Sequence, residues 1–84
     1  MAINYEQLVT NIVKPLVLHP QNISCIVSYE LDANVLIRLL VDPVDIGRVV
    51  GKQGKVANSI RTILYAGATR EGQKVTLEIF PKEN

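Results

Sequence analysis

The sequence has little of the chemistry on which disulfide-bonded and metal-binding proteins depend. Its 84 residues include one cysteine, Cys25, and one histidine, His19. One cysteine cannot close a disulfide within the chain, and together with one histidine it cannot supply the usual ligand set of a zinc site. We therefore expect no metal, no other cofactor, and a reducing, cytoplasmic setting.

Long apolar runs are also absent. No uninterrupted apolar segment approaches the ~20 residues that span a bilayer, and the N-terminus lacks the basic-then-apolar order of a signal peptide. The acids are scattered, so no nucleophile, base and orienting residue can be assembled with His19 or Cys25. The sequence therefore predicts neither a membrane partner nor a catalytic site.

What the chain does have is one segment of concentrated positive charge. With 48% hydrophobic residues it can build the core of one domain, residues 1–84, and it is too short for two. The net charge is only +1, yet residues 46–70 carry +5 and no acid, against −3 for residues 1–45 and −1 for residues 71–84. The five basic residues are Arg48, Lys52, Lys55, Arg61 and Arg70.

A helix followed by a hairpin is predicted in the first half of the chain. Asn4 followed by Gln7 resembles a capping box, so a helix begins at about Tyr5. Pro15 removes an amide donor, so this helix kinks or ends early there and stops by Pro20.

The hairpin consists of two strands joined by the turn residues 32–34. Apolar residues alternate over residues 23–31, which indicates a half-buried strand with Ile23, Cys25, Val27, Tyr29 and Leu31 on its core side. Over residues 35–41 only Arg38 is polar, which predicts a central strand covered on much of both faces.

A short helix follows the hairpin. Asp42 at the cap, Pro43 at the first helical position and Asp45 in the first turn favour a helix start there. Gly51 limits this helix to about two turns.

The remaining residues predict a second helix and a last strand. The helix covers residues 55–66 and ends at Gly67, with an apolar face formed by Val56, Ile60, Ile63 and Leu64. The strand covers residues 75–80 and ends at Pro81. The order α-β-β-α-α-β predicts one α/β (α+β) domain with a three-stranded mixed sheet packed on helices, in which the last strand lies parallel to residues 35–41.

A glycine-bracketed basic loop, Gly51-Lys52-Gln53-Gly54, separates the two helices. Glycine lets main-chain amides approach a phosphate, and the following helix presents a positive dipole end, so an anion is the expected ligand. The P-loop pattern fails, because Gly47 and Gly51 enclose three residues instead of four, and Gln53 stands where a hydroxyl residue is needed. Both this motif and the dinucleotide fingerprint also follow a strand, whereas this loop follows a helix.

The loop and its surroundings resemble the K homology (KH) family over the whole chain, in the type II arrangement of prokaryotes. Val49-Val50 precede the GxxG loop, and Ile60 and Ile63 follow it on the next helix. In size the chain resembles the small stand-alone bacterial KH proteins. This resemblance implies a non-catalytic, cytoplasmic protein that binds single-stranded RNA, as an RNA chaperone or post-transcriptional regulator. It also implies a homodimer, or a heteromer with another KH-containing protein.

Within this hypothesis each residue near the loop has an expected role. Lys52 supplies charge to a phosphate, Gln53 supplies a hydrogen bond, and the amides of residues 51–54 form the cradle. Arg48, Lys55 and Arg61 extend the positive track. The groove wall that receives bases is expected from Ile46, Val49, Val50 and strand residues such as Leu36 or Arg38.

Two other functions remain open from the sequence alone. Two helices around a glycine turn are also typical of a helix-turn-helix reader of double-stranded DNA, with Asn58, Ser59, Arg61 and Thr62 as base-reading residues. A protein-assembly module without nucleic acid is the second alternative. It would use an apolar patch on the open face of the sheet, formed by Ile26, Leu36, Leu40 and Phe80.

Overall fold

Three helices and three strands follow one another in the predicted order. A computed structural model describes residues 2–83. The elements are α1 (Tyr5–Val13), β1 (Ser24–Tyr29), β2 (Asn34–Val41), α2 (Ile46–Val50), α3 (Lys55–Arg70) and β3 (Lys74–Pro81). This arrangement confirms the expected α+β fold class.

The strands form one mixed sheet in the order β1-β2-β3. β1 pairs with β2 as an antiparallel hairpin, with Cys25 opposite Leu39. β3 pairs with β2 in parallel, with Leu77 beside Ile37, after the chain has crossed over through α2 and α3. The predictions of a central second strand and a parallel last strand are both confirmed.

The core lies on one side of this sheet. Alternate residues of β2 point into it and are almost completely buried, namely Val35, Ile37, Leu39 and Val41. They pack against Tyr5 and Val9 of α1 and Leu64 of α3. The opposite face is not covered to the same extent, because Leu36 and Leu40 are only half-buried and Arg38 is exposed. The expectation that β2 is covered on both faces is therefore wrong, since the helices pack on one side only.

The first helix begins and ends where its local chemistry predicts. The side chain of Asn4 accepts a hydrogen bond from the amide of Gln7 at 3.0 Å, which caps α1. The α-helix ends at Val13, and a single 3-10 turn that contains Pro15 follows it. The early end predicted at this proline is confirmed.

The third helix is longer than predicted. α3 continues through Gly67 to Arg70 instead of ending near Ala66. A β-carbon on Gly67 would lie 2.9 Å from Cδ1 of Ile3, so the N-terminal segment packs closely against α3 at this glycine. The helix ends instead at Gly72, whose positive φ of 68° is typical of a helix terminator.

Three apolar residues expected on the core side are largely exposed. β1 reaches the hairpin turn at Tyr29, which is 66% exposed, and Leu31 already belongs to that turn and is 86% exposed. Ile63 is 49% exposed because it lies on the outer side of α3, away from the core. These three predictions are therefore corrected.

Candidate nucleic-acid interface

The segment that leads into the loop begins with a capped turn. Asp42 accepts a hydrogen bond from the amide of Val44 at 3.0 Å and another from Nδ2 of Asn22 at 2.9 Å. These two bonds, the backbone one first, lower the pKa of the Asp42 carboxyl below its ordinary value. A 3-10 turn starting at Pro43 then passes directly into α2. The predicted cap, and the predicted length of about two turns, are confirmed.

Asp45 anchors this segment from within the protein. Its carboxylate is fully buried and accepts hydrogen bonds from the amides of Leu18 at 2.9 Å and His19 at 3.0 Å. Nη1 of Arg48 lies 3.5 Å from the same carboxylate. Sequence reasoning placed Asp45 only as an acid near a helix start. It missed the contact because residues 18 and 19 lie far away in the chain and no spacing pattern connects them.

The loop backbone adopts conformations that favour glycine. Gly51 has φ 77° and ψ 174°, and Gly54 has φ 75°. A β-carbon on Gly51 would lie 2.8 Å from the backbone nitrogen of Val56, closer than side chains approach. Gln53, which is not a glycine, also has a positive φ of 57°. The loop is therefore tightly fixed against the start of α3.

Most of the loop amides are already used by the protein. The amide of Gly51 donates to the carbonyl of Gly47 at 2.9 Å, and that of Gly54 donates to Gly51 at 3.2 Å. The amide of Lys55 donates to the carbonyl of Lys52. Within residues 2–83, the amides of Lys52 and Gln53 have no acceptor. The cradle expected from four amides is thus reduced to two consecutive ones, an arrangement that suits an anion.

The basic side chains divide into two groups. Lys52 and Lys55 are exposed, and neither forms an ion pair with an acid in the part of the chain that the structure describes. Arg48 donates to the carbonyl of Val44 at 2.9 Å, in addition to its contact with Asp45. The two lysines therefore remain available to an external anion, whereas Arg48 is partly held by its own helix.

Arg61 is also held by the protein. Its Nη2 donates to the carbonyl of Leu77 at 3.1 Å, and its Nη1 donates to Oδ1 of Asn58 at 3.3 Å. The first bond joins α3 to the outer edge of β3. Arg61 thus has a fixed position on α3, and part of its hydrogen-bonding capacity is used for packing.

The residues predicted to form the groove wall are only partly beside the loop. Val49 is completely buried in the core, while Ile46 and Val50 are half-buried on α2. Leu36 and Arg38 lie on the sheet face away from the helices, where Arg38 Nε is 3.7 Å from Oε1 of Glu78. These two strand residues are therefore not beside the loop.

The strand nearest to the loop helices is β3. It contacts both α2 and α3, and it presents the half-buried Ile79 next to the core. The sequence analysis placed the groove wall on β2, at Leu36 or Arg38. The position of β3 follows from the crossover, which brings the last strand under the helices that precede it.

The polar side chains on α3 form hydrogen bonds mostly within the helix, to its backbone carbonyls. Oγ of Ser59 donates to the carbonyl of Lys55 at 2.9 Å, and Oγ1 of Thr62 donates to the carbonyl of Asn58 at 2.9 Å. Asn58 also accepts from Arg61, as described above. The geometry therefore favours the loop over this helix as the surface that meets nucleic acid.

Other chemistry has little support in the side chains. Burial, and secondarily the nearby Glu6, raise the pKa of the Cys25 thiol to about 11, so it stays protonated at neutral pH. Residues 2–83 contain no group of three or more His, Cys, Asp or Glu side chains that could hold a metal. In the same range no helix has the length and apolar character needed to cross a bilayer.

Comparison with known proteins places these observations in context. The family model described as KhpA/KhpB, KH domain matches residues 6–79. RNA-binding protein KhpA of Listeria monocytogenes is 45% identical over 74 residues, which cover 88% of this chain and 96% of the relative. RNA-binding protein KhpA of Bacillus subtilis is 43% identical over 75 residues, 89% of this chain and 91% of the relative. No solved structure matches the chain.

Proposed function

This chain belongs to the KhpA/KhpB KH domain family, and from this premise we propose that it binds single-stranded RNA without catalysis. The observation that carries the proposal is the loop of residues 51–54, which presents two consecutive unpaired amides flanked by Lys52 and Lys55. Relatives named RNA-binding protein align with nearly the whole chain, loop included. The proposal assigns no catalytic residue and no cofactor.

The phosphate backbone is the natural ligand of this arrangement. A phosphate oxygen accepts hydrogen bonds from the amides of Lys52 and Gln53, and the exposed ammonium groups of Lys52 and Lys55 supply charge. The N-terminal end of α3, a helix of 16 residues, adds its positive dipole end at the same place. Gly51 and Gly54 keep the backbone in the conformation that exposes these amides.

Neighbouring residues support the contact without making it specific. Val50 and Ile46 are half-buried apolar side chains on which bases can rest, and Val49 holds α2 on the core. Arg48 and Arg61 add positive charge from positions fixed by the protein. Such contacts do not read base edges, so we infer binding with little sequence preference, as suits an RNA chaperone or post-transcriptional regulator. With two or three phosphates engaged, the slope of log K against log salt is roughly −1.4 to −2.1.

A substitution pair in the loop tests this proposal. We expect Lys52→Asp with Gln53→Asp to weaken binding to a fluorescein-labelled mixed-sequence oligoribonucleotide by at least about tenfold at low salt. The exposed pair Gln21→Asp with Lys74→Asp changes the net charge equally and is the matched control. Fluorescence anisotropy measures affinity, and circular dichroism melting verifies that both variants are folded. Equal affinity of loop variant and control would remove the loop from the site.

Duplex DNA serves as a further probe in the same titration. A helix-turn-helix protein would bind the duplex more tightly than the single strand, and Asn58→Ala with Thr62→Ala would weaken that binding. We expect the reverse order of affinities, with little effect of the α3 substitutions on RNA binding.

The proposal includes association with a second KH domain, from the same chain or from another KH-containing protein. One loop contacts only a few phosphates, and two linked loops raise the affinity through effective concentration. A cytoplasmic location stays a prediction, based on the single cysteine.

A further inference from the structure

One carboxylate is buried close to the loop and has no part in the proposed contact with RNA. The side chain of Asp45 is fully buried, and it is the only charged residue among the buried residues that the structure describes. Removing a carboxylate from water costs free energy unless hydrogen bonds and charge compensate for it. The bonds that Asp45 makes therefore have to account for an acid at this position.

These bonds join two segments that are distant in the chain. Oδ1 of Asp45 accepts from the amide of Leu18, and Oδ2 accepts from the amide of His19. Nη1 of Arg48 contacts Oδ1 from the side of α2. One carboxylate thus ties residues 18–19, which follow the first helix and its 3-10 turn, to the start of α2. Both oxygens are needed, because each accepts from a different backbone amide.

The short helix α2 has few other attachments to the core. Of its five residues only Val49 is completely buried. Asp45 directly precedes this helix, and Gly51 directly follows it, with its amide bonded back to the carbonyl of Gly47. Five helical residues rise only roughly 7 Å, so a tilt at the start of α2 reaches the loop. The direction of α2 depends on Val49 in its middle and on Asp45 at its start.

We infer that Asp45 is a positioning residue for RNA binding, and this inference rests on the proposed function. Its carboxylate holds α2 in the direction at which the loop presents the amides of Lys52 and Gln53 to a phosphate. Being buried, it does not touch RNA itself. The charge of an acid close to the loop weakens the attraction to RNA, whereas its positioning strengthens binding. The sign of a substitution's effect therefore distinguishes the two roles.

Asp45→Asn removes the charge and keeps the size of the side chain. Asparagine has one acceptor oxygen, so its NH2 group faces one of the two backbone amides as a second donor. We expect the folded variant to bind a fluorescein-labelled mixed-sequence oligoribonucleotide about tenfold more weakly in anisotropy titrations, as for one lost charge-assisted hydrogen bond. The salt slope is expected to become smaller in magnitude by ~0.7, the contribution of one phosphate.

Asp42→Asn is the matched control, because it removes the same charge from the same segment. Asparagine keeps an oxygen to cap the amide of Val44, and the side-chain amide of Asn22 can turn to accept from the new NH2 group. We expect its affinity to stay within about twofold of the unmodified protein, with any change toward tighter binding. Equal weakening by both substitutions would overturn the inference, and so would tighter binding of Asp45→Asn.

A change at the other end of the bonds gives a second test, which also serves if Asp45→Asn does not fold. Leu18→Pro removes one amide donor without any change of charge, and Val17 before it has the extended backbone that precedes proline. Leu18→Ala keeps the amide and is the control, since this side chain is 62% exposed. We expect the proline variant to bind RNA about threefold more weakly than the alanine variant. Equal affinities would contradict the inference.

Amide resonances of the RNA-free protein separate this inference from the proposed function. In NMR spectra we expect the amides of Lys52 and Gln53 to shift in Asp45→Asn and to stay in place in Asp42→Asn. If Asp45 only stabilises the fold, its substitution lowers the melting temperature but leaves these resonances, the affinity and the salt slope unchanged, and the inference is wrong. If the unmodified chain binds no RNA, the proposed function itself fails, whatever the loop resonances show.

Discussion

Within residues 2–83, two turns hold non-glycine residues at positive φ, and they differ in what surrounds them. In the hairpin turn between β1 and β2, Asp32 and Ala33 have φ values of 61° and 60°, and both are exposed. In the loop between α2 and α3, Gln53 has a φ of 57°, but it stands between two glycines. One turn connects two paired strands, and the other is pressed against the start of a helix.

Tertiary packing imposes the conformation of the loop, whereas it only permits the conformation of the hairpin turn. The hairpin turn is held mainly by its own bonds, such as that from Nδ2 of Asn34 to the carbonyl of Leu31 at 2.9 Å. The loop is held by Val56 from α3, which leaves no room for a β-carbon on Gly51. In the loop, the strained backbone leaves the amides of Lys52 and Gln53 unpaired within residues 2–83. Substitutions in the two turns are therefore expected to have opposite signs.

The largest expected effect is that of Gly51→Ala. Gly51 occupies a region of φ and ψ that is almost exclusive to glycine, and a methyl group would contact the backbone of Val56. We expect a loss of about 3 kcal/mol in the free energy of unfolding, measured by urea denaturation. Gly47→Ala is the matched control, because that position is helical with open space around it. The control is expected to gain up to about 1 kcal/mol, and a similar loss in both would show that the loop is not tightly packed.

Gly54→Ala is expected to have a smaller effect of the same sign. The nearest atom to a β-carbon there is Nδ2 of Asn58 at 3.9 Å, so only the left-handed backbone conformation opposes the change. The expected loss is about 1 kcal/mol in the same urea experiment. Equal losses for the two substitutions would show that steric contact with Val56 adds nothing to the cost at Gly51.

The smallest effect, and the one of opposite sign, is expected in the hairpin turn. Ala33→Gly relieves a positive φ in an exposed residue, while it adds freedom to the unfolded chain. The net gain is about 0.5 kcal/mol, measurable as a higher urea midpoint, and RNA affinity is unchanged because the turn is far from the loop. A destabilised Ala33→Gly variant would contradict the comparison of the two turns.

The fold was largely predictable because its main signals are local. The cap at Asn4, the break at Pro15 and the alternation in the strands each depend on residues close together in the chain. The end of α3 was not predictable, because the sequence alone does not distinguish a glycine that ends a helix from one that packs against a distant residue such as Ile3. The exposure of Tyr29 depends on how far the helical layer extends along β1, and no local sequence pattern encodes that extent.

The candidate site shows the same division. The spacing of the glycines and lysines predicted the loop as the site from residues close together in the chain, and this assignment stays a prediction. Which amides remain free, and which arginines are held, follows from bonds such as that of Arg61 to Leu77. The buried Asp45 accepts hydrogen bonds from the amides of residues 18 and 19. Such contacts form only when distant segments of the chain meet, so periodicity and spacing cannot predict them.

The position of the loop within the crossover also determines when during synthesis it can form. α2 has five residues, far fewer than the ~12 that an isolated helix needs in water, so its conformation depends on the assembled core. β3 contributes Val75 and Leu77 to that core and leaves the ribosome after α2 and the loop. A nascent chain that still lacks this strand is therefore not expected to hold the loop in shape, so RNA capture is expected only after β3 has left the ribosome.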